Sequence, residues 1–347
     1  MENLHIRDIL IRFEGDDLSK YGLFPLFAWY LVDHIHLLER LKILTVKRKR
    51  NNKNPVKRRT PRFTEAQLGI GFICIILLGI KRLRKINRLL KTETQVANLI
   101  GMERFFDQVT AHRFLNEFQL WHLRQLERAA DDLARDFGEA FRQDIVVLDI
   151  DSTTHSVESR KREKAVVGYN KKNPGKPCYQ WSVGFIRGEA VAHKLYKGNT
   201  ICKHHLKDTL NMVSKKIPQS VSIVRLDGGY LSAELLDYIE KKNLSVVMGA
   251  RYDWVMAQKP EVDPNKWMSY DEKTMIYDLG MARVTSTVER EYRIILVIKE
   301  QEPFKGDRRK KVKKVRYAII ENLPIRLDAF ALYQFYCGRQ TIENFFK

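Results

Sequence analysis

The apolar positions along this chain change their period twice, and each change predicts a different kind of element. From the N-terminus to about residue 140 they recur at helical spacing. Leu23–Leu44 is rich in Leu, Ile and Phe at that spacing, and Leu68–Leu90 carries a second long pattern. The longest apolar run, Ile70–Ile80, contains Gly71 and Gly79 and is flanked by Lys81 and Arg82. It falls short of the roughly 20 residues that a membrane-spanning helix needs, so a buried helix is expected and no membrane partner. Lys91–Phe118 continues with Gly101 between two helical stretches, as a compact helical DNA-binding unit would. Leu120–Phe141 reads as a charged amphipathic helix.

From Ile145 the texture becomes α/β. Ile145–Leu148 is a continuous run rich in β-branched residues, closed by Ser152, Thr153 and Thr154, which predicts a buried strand. Tyr179–Ile186 and Ala190–Tyr196 flank Arg187-Gly188-Glu189 as a hairpin. Lys203–Lys216 reads as a helix, and Ser220–Asp227 alternates as a strand ended by Gly228-Gly229. Ser232 is placed to N-cap a helix through Lys242, and Leu244–Gly249 is another strand. A third regime follows, in which Met275–Leu279, Ala282–Thr287, Tyr292–Lys299 and Val315–Ile320 read as strands of an antiparallel insertion. The chain closes on a helix over Asp328–Lys347, with Asp328 as N-cap. The expected plan is a helical region 1–140, a first part of an α/β core 141–250, a β-rich insertion 251–325 and a closing core helix 326–347.

Charge adds a partner to this picture. Among 347 residues, 62 Lys and Arg face 42 Asp and Glu, a formal net charge of +20. A soluble chain this basic usually meets a polyanion, and nucleic acid is the first candidate. Two segments concentrate the charge. The linker 46–62 includes Lys47, Arg48, Lys49, Arg50, Lys57, Arg58 and Arg59, with no acid from Lys47 to Arg62. The turn Lys305–Arg316 includes Arg308, Arg309, Lys310 and Lys311. Either could be a merely solvated run, but with the overall charge phosphate contact is the better reading. The four cysteines are scattered without a Cys-x-x-Cys pair, and the N-terminus lacks a secretory apolar core, so a cytoplasmic protein with reduced thiols is expected. Cys202, His204 and His205, with His193 upstream, lack the second spaced pair that a zinc site needs.

The chemistry concentrates in acids at two strand ends and on the last helix. Asp149 and Asp151 lie two residues apart near the end of the first strand, and Asp227 ends a second strand. In neighbouring strands such carboxylates converge where open α/β sheets bind ligands. Glu343 lies on the last helix, where Tyr336, Arg339 and Glu343 share one face at spacings of three and four. Two Asp and one Glu are the hard oxygen ligands that Mg²⁺ or Mn²⁺ prefers, and an adjacent guanidinium suits phosphate.

Leu148-Asp-Ile-Asp151-Ser-Thr, then Arg225-Leu-Asp227-Gly-Gly-Tyr230, then Tyr336-x-x-Arg339-x-x-x-Glu343 resembles the DDE transposases of bacterial insertion sequences. The resemblance is to the branch with a Tyr-Arg-Glu-Lys signature and a β-rich insertion. Gly168-Tyr169-Asn170, Gly175, Tyr179, Gly198-Asn199 and His112-Arg113-Phe114-Leu115 resemble that branch too, so the likeness covers nearly the whole chain.

The resemblance implies an RNase H-like catalytic core with an antiparallel β insertion, preceded by an all-α DNA-binding region. It implies that Asp151, Asp227 and Glu343 bind two Mg²⁺ ions, with Mn²⁺ an alternative, and that Tyr336 and Arg339 contact DNA. Asp151 is preferred to Asp149 because the family's first Asp directly precedes the Ser/Thr pair. The implied reaction is metal-dependent DNA cleavage and strand transfer at terminal inverted repeats, on double-stranded DNA held by a dimer, in a bacterial cytoplasm at the nucleoid. A flipped base stacked on an aromatic would accompany it, with Trp254 and Trp267 as candidates. The signature Lys falls beyond Lys347, so a C-terminally truncated chain is expected. The alternative is a truncated, non-catalytic DNA-binding repressor of transposition.

Overall fold

The computed structural model describes residues 4–6, 9–11, 21–45, 62–158, 162–171, 173–302 and 312–346. The chain divides into two compact units, Met1–Phe137 and Gly138–Lys347.

In the first unit β1 (Leu4–Ile6) pairs antiparallel with β2 (Ile9–Ile11). This corrects the expectation of an all-α region: three-residue runs rich in Ile suit an extended pair and are too short for a helical period. The remaining elements are helices: α1 (Phe24–Trp29), α2 (Leu37–Arg40), α3 (Glu65–Leu77), α4 (Ile86–Leu89), α5 (Thr94–Asn98), α6 (Gln108–Asn116) and α7 (Leu120–Phe137). Thr64 and Gln67 start α3 with a reciprocal capping box, which satisfies two otherwise orphan backbone donors. The expected burial of this apolar helix is met: Leu68, Ile70, Cys74 and Ile75 lie in the core of the unit. Among the described residues no helix is long and apolar enough to cross a membrane. The basic residues Lys47–Arg50, Lys57–Arg59 and Arg308–Lys311 lie outside the described residues.

The second unit is built on one ten-stranded sheet. Its strands are β3 (Val146–Ser156), β4 (Val166–Val167), β5 (Pro177–Ile186), β6 (Glu189–Lys197), β7 (Val221–Leu226), β8 (Ser245–Arg251), β9 (Met268–Asp271), β10 (Thr274–Arg283), β11 (Glu291–Gln301) and β12 (Lys313–Glu321). The β5–β6 hairpin turns on Arg187 and Gly188, both at positive φ, as a two-residue turn matched to strand twist requires. β3 pairs antiparallel with β5 and parallel with β7, and β7 pairs parallel with β8. The insertion strands are not a separate layer. β12 pairs antiparallel with β8, and β11, β10 and β9 follow, so the same sheet simply widens. Two strands expected over Met275–Thr287 are one, β10, because Gly280 at positive φ absorbs an irregularity without ending the strand.

Helices cover both faces. α8 (Cys202–Lys216), α9 (Ala233–Lys241) and α10 (Tyr252–Met256) bury Leu206, Leu235, Ile239 and Val255 in one core that also holds Val146, Leu148 and Ile150 of the sheet. Ser232 caps α9 as its sequence position suggests. On the opposite face α11 (Ala329–Cys337) packs Leu332 and Tyr333 on Val247, Ile276, Ile295 and Ile319. α12 (Gln340–Phe345) then sets Ile342 on Val183 and Phe185 of β5.

His205 faces inward from α8 and is fully buried; the side chain of Cys202 lies outside the described residues. The His205 ring stacks on Tyr196 at 4.3 Å, and among the described residues neither ring nitrogen has a hydrogen-bond partner. Burial, with help from His204 and Lys194 and against Asp208, pulls its pKa down to about 4. The folded state therefore binds this proton less well than the unfolded chain, and stability is lost as pH falls from about 6.5 toward 4. With allowance for screening the loss is roughly 2 kcal/mol. Urea unfolding at pH 7 and pH 5 should show this slope, and His205→Phe should flatten it.

Candidate active site

The site begins with a mismatch in strand length. β3 runs past the expected stop at Ser152, staying paired with β5 as far as Ser156, whereas its pairing with β7 ends at Asp149↔Arg225. Two residues beyond that last pair, at matching register, stand Asp151 and Asp227. Side chains two apart share a face, so Asp149, Asp151 and Arg225 all point away from Val146, Leu148 and Ile150. Where β7 stops, a cleft of ≈ 700 Å³ opens, and Asp151 and Asp227 both line it. Ser152–Thr154, Tyr169–Lys171 and Gly198–Ile201 complete much of its wall.

Asp227 N-caps the short turn Gly228–Tyr230, its Oδ1 accepting from the Gly229 N–H at 2.9 Å. Asp151 Oδ1 accepts from the Ser152 N–H at 2.7 Å, and its Oδ2 accepts from Arg339 Nη1 at 3.2 Å. Arg339 is 7% exposed, so its pairing with Asp151 is a buried contact that brings the C-terminal helices to the cleft.

Those helices correct the expectation of one continuous helix over Asp328–Lys347. Asp328 does N-cap α11, but the ladder changes at Gly338–Arg339, where Arg339 and Ile342 N–H groups donate to carbonyls three residues back. The break lets α11 follow the β8–β12 side of the sheet while α12 settles on β5. Arg339 sits at the junction, over the strands that carry the acids. Tyr336 packs its hydroxyl over Gly249, where any Cβ would lie within 2.4 Å of it. Burial raises the Tyr336 pKa, and Arg339 pulls it down against Asp227. Glu343 is in α12, but its side chain lies outside what the structure describes.

Asp149, left without a role by the sequence, is part of a buried tie. It is 2% exposed and accepts twice from Arg225, Nε to Oδ1 and Nη2 to Oδ2, each at 2.6 Å. Arg225 Nη1 also donates to the Phe335 carbonyl, and its guanidinium lies 4.8 Å from the Phe335 ring centre. One side chain thus joins β3, β7 and the end of α11. Burial raises the Asp149 pKa, while the Arg225 hydrogen bonds, then the charges of Arg225 and Arg339, lower it. The sequence holds only a matching interval, Arg225 two residues before Asp227 as Asp149 is two before Asp151, which does not by itself say that the two side chains meet.

Asp151 and Asp227 are hard oxygen donors on one cleft, and in chemistry they suit Mg²⁺ or Mn²⁺. Among the described residues no group of three or more His, Cys, Asp or Glu forms a metal cluster, and Arg339 provides the positive charge beside Asp151. Of the aromatic candidates, Trp267 lies tilted against Tyr277, ring centres 5.4 Å apart, and packs on the core. Trp254 is partly exposed under Arg251, and neither lines the cleft.

The family model described as "Transposase DDE domain group 1" matches residues 4–347. Solved structures with similarity include a piggyBac transposase synaptic complex with hairpin DNA, at 14% identity and a TM-score of 0.43. That alignment covers 92% of this chain and 66% of the other. A Drosophila P element transposase strand transfer complex follows at 16% identity and a TM-score of 0.28, covering 59% of this chain and 41% of the other. A Mos1 transposase paired-end complex with left transposon end has 11% identity and a TM-score of 0.23, covering 56% and 61%. This chain spans about two thirds or less of each of those proteins. No curated protein matches the sequence.

Proposed function

Because this chain belongs to the Transposase DDE domain group 1 family, we propose that it cuts DNA at the ends of a mobile element and joins those ends to target DNA. The observation that carries this reading is the register of Asp151 and Asp227, side by side beyond the last β3–β7 pair and facing one cleft. The order β6-β5-β3-β7-β8, antiparallel through β3 and parallel after it, supports an RNase H-like core. The insertion extends that core by β12-β11-β10-β9. A bacterial insertion sequence, and within it the Tyr-Arg-Glu-Lys branch, is the proposed source.

Asp151, Asp227 and, from α12, Glu343 would hold the divalent metal, two ions in this reading. When bound, the metal neutralises charge on the phosphoryl group and lowers the pKa of an attacking water or 3′-hydroxyl. The protein's own groups do the positioning. Ser152 and Gly229 N–H groups orient one oxygen of each Asp, and the Asp149–Arg225 tie holds the two strands and α11 together. Arg339, paired with Asp151 here, is placed to move onto a phosphate oxygen, and its planar fork suits that partner. Tyr336 backs the site from α11.

The test is cleavage of a plasmid carrying the gene with its natural flanking DNA. Strand breaks at the element boundary in Mg²⁺ or Mn²⁺, absent with chelator, are expected. Boundary binding without breaks would favour a repressor, and breaks indifferent to sequence a general nuclease; either would overturn the proposal.

The basic segments should act through phosphates. Each phosphate neutralised contributes about −0.9 to the slope of log K against log [salt]. Replacing Lys47, Arg48, Lys49 and Arg50 by Gln should flatten that slope by up to about 3–4 in an anisotropy titration. An unchanged slope would leave the segment as a solvated linker.

A further inference from the structure

The wall of the cleft carries a feature that holding a metal does not use. Tyr169 is 69% exposed, yet the backbone that carries it is firmly built into the sheet edge. Its carbonyl accepts from Gln180 Nε2 at 3.0 Å and from Thr154 Oγ1 at 3.3 Å. The next residue, Asn170, is 5% exposed and donates to Ser156 Oγ at 2.8 Å. On the other side Gly168 lies so close to the Gly198 carbonyl that a Cβ would come within 1.9 Å of it. The backbone that presents this large aromatic to water is thus held before anything binds, so stacking on the ring costs little further ordering of the loop. Lys171 follows, its ammonium 5.5 Å from the Tyr169 ring centre, and it lines the same cleft as Asp151 and Asp227. Tyr169, and after it Asp227, raises the pKa of that ammonium.

An exposed ring and a cation, two residues apart beside a pair of carboxylates, match the two parts of one nucleotide. We propose that Tyr169 and Lys171 form a nucleotide clamp, Tyr169 stacking on one unpaired base of the DNA strand and Lys171 holding its phosphate beside Asp227. This rests on the reading of the cleft as a DNA-cutting site and names the contact that presents the strand to it. Stacking of this kind is tolerant of sequence, because every base has a π face. The recognised feature is therefore an unstacked nucleotide, and intact duplex does not offer it.

The experiment uses the full chain in chelator, where no cutting occurs, with a duplex containing a short single-stranded gap of 5-iododeoxyuridine. Irradiation should cross-link the gap to the peptide bearing Tyr169. Tyr169→Phe should keep the cross-link. Tyr169→Ala should abolish it and weaken binding of gapped DNA about tenfold while leaving intact duplex unaffected. Lys171→Gln should reduce the salt slope for gapped DNA by about 0.7. A cross-link mapping elsewhere, or gapped DNA bound as tightly by Tyr169→Ala as by the parent, would overturn the clamp. Since no metal or cleavage enters this readout, its failure is distinct from failure of the proposed reaction.

Discussion

Asp227→Ala and Asp151→Ala should each lower boundary-specific DNA cleavage by roughly 10⁴-fold or more while leaving DNA affinity within a few-fold of the parent. Groups that act as a unit lose nearly all their effect when one member goes. Asp227 makes its described contact with the turn that follows it, so its removal exposes no buried partner beyond the Gly229 N–H. Asp151→Ala also leaves the buried Arg339 without this carboxylate, and a modest loss of stability should accompany it. Asp151→Asn, which still accepts from the Ser152 N–H, should be as inactive but more stable than the alanine variant. Cleavage by either alanine variant within tenfold of the parent would remove these carboxylates from the chemistry.

The second large effect lies in the tie behind the site. Arg225→Met leaves the Asp149 carboxylate buried without its bidentate partner and frees the Phe335 carbonyl. Breaking one side of such a buried pair costs about 3–5 kcal/mol, so a clear fall in the urea midpoint is expected. The double change Asp149→Leu with Arg225→Met removes both charges and should recover most of that stability. It should not recover cleavage, because the link from β7 to α11, and through it the placement of Arg339, is still missing. Recovery of both together would mean that the tie is only structural. Equal stability of the single and double variants would mean that the pair contributes no coupling.

What the sequence could carry was local. The apolar run into Asp149, the Ser220–Asp227 strand, the Ser232 cap and the Asp328 cap all follow from side-chain pattern and backbone hydrogen bonding within a few residues, and the structure has them. The misses need contacts far along the chain. β3 continues past Ser152 because β5 supplies partners, although Ser and Thr there look like a stop. The closing helix breaks at Gly338 because α11 and α12 each find a different strand to cover. Among the described residues β9 pairs only with β10, and its mixed residues Met268–Asp271 carry little period of their own. Of the site, Asp151, Asp227 and Arg339 were readable from motif and spacing. The Asp149–Arg225 pair was not, since an acid and a base 76 positions apart declare nothing until parallel strands set them in register.

The proposed reaction requires Asp151, Asp227 and Glu343 together to hold a divalent metal at the end of β3. Iron-directed cleavage of the protein itself tests it without DNA. Fe²⁺ taken up in place of Mg²⁺, with ascorbate and peroxide, cuts the chain next to its ligands. Cuts should be confined to the neighbourhoods of residues 151, 227 and 343, competed by Mg²⁺ or Mn²⁺ and lost together in Asp151→Ala, Asp227→Ala or Glu343→Gln. Cuts that omit one of the three segments, or that persist unchanged in those variants, would contradict it.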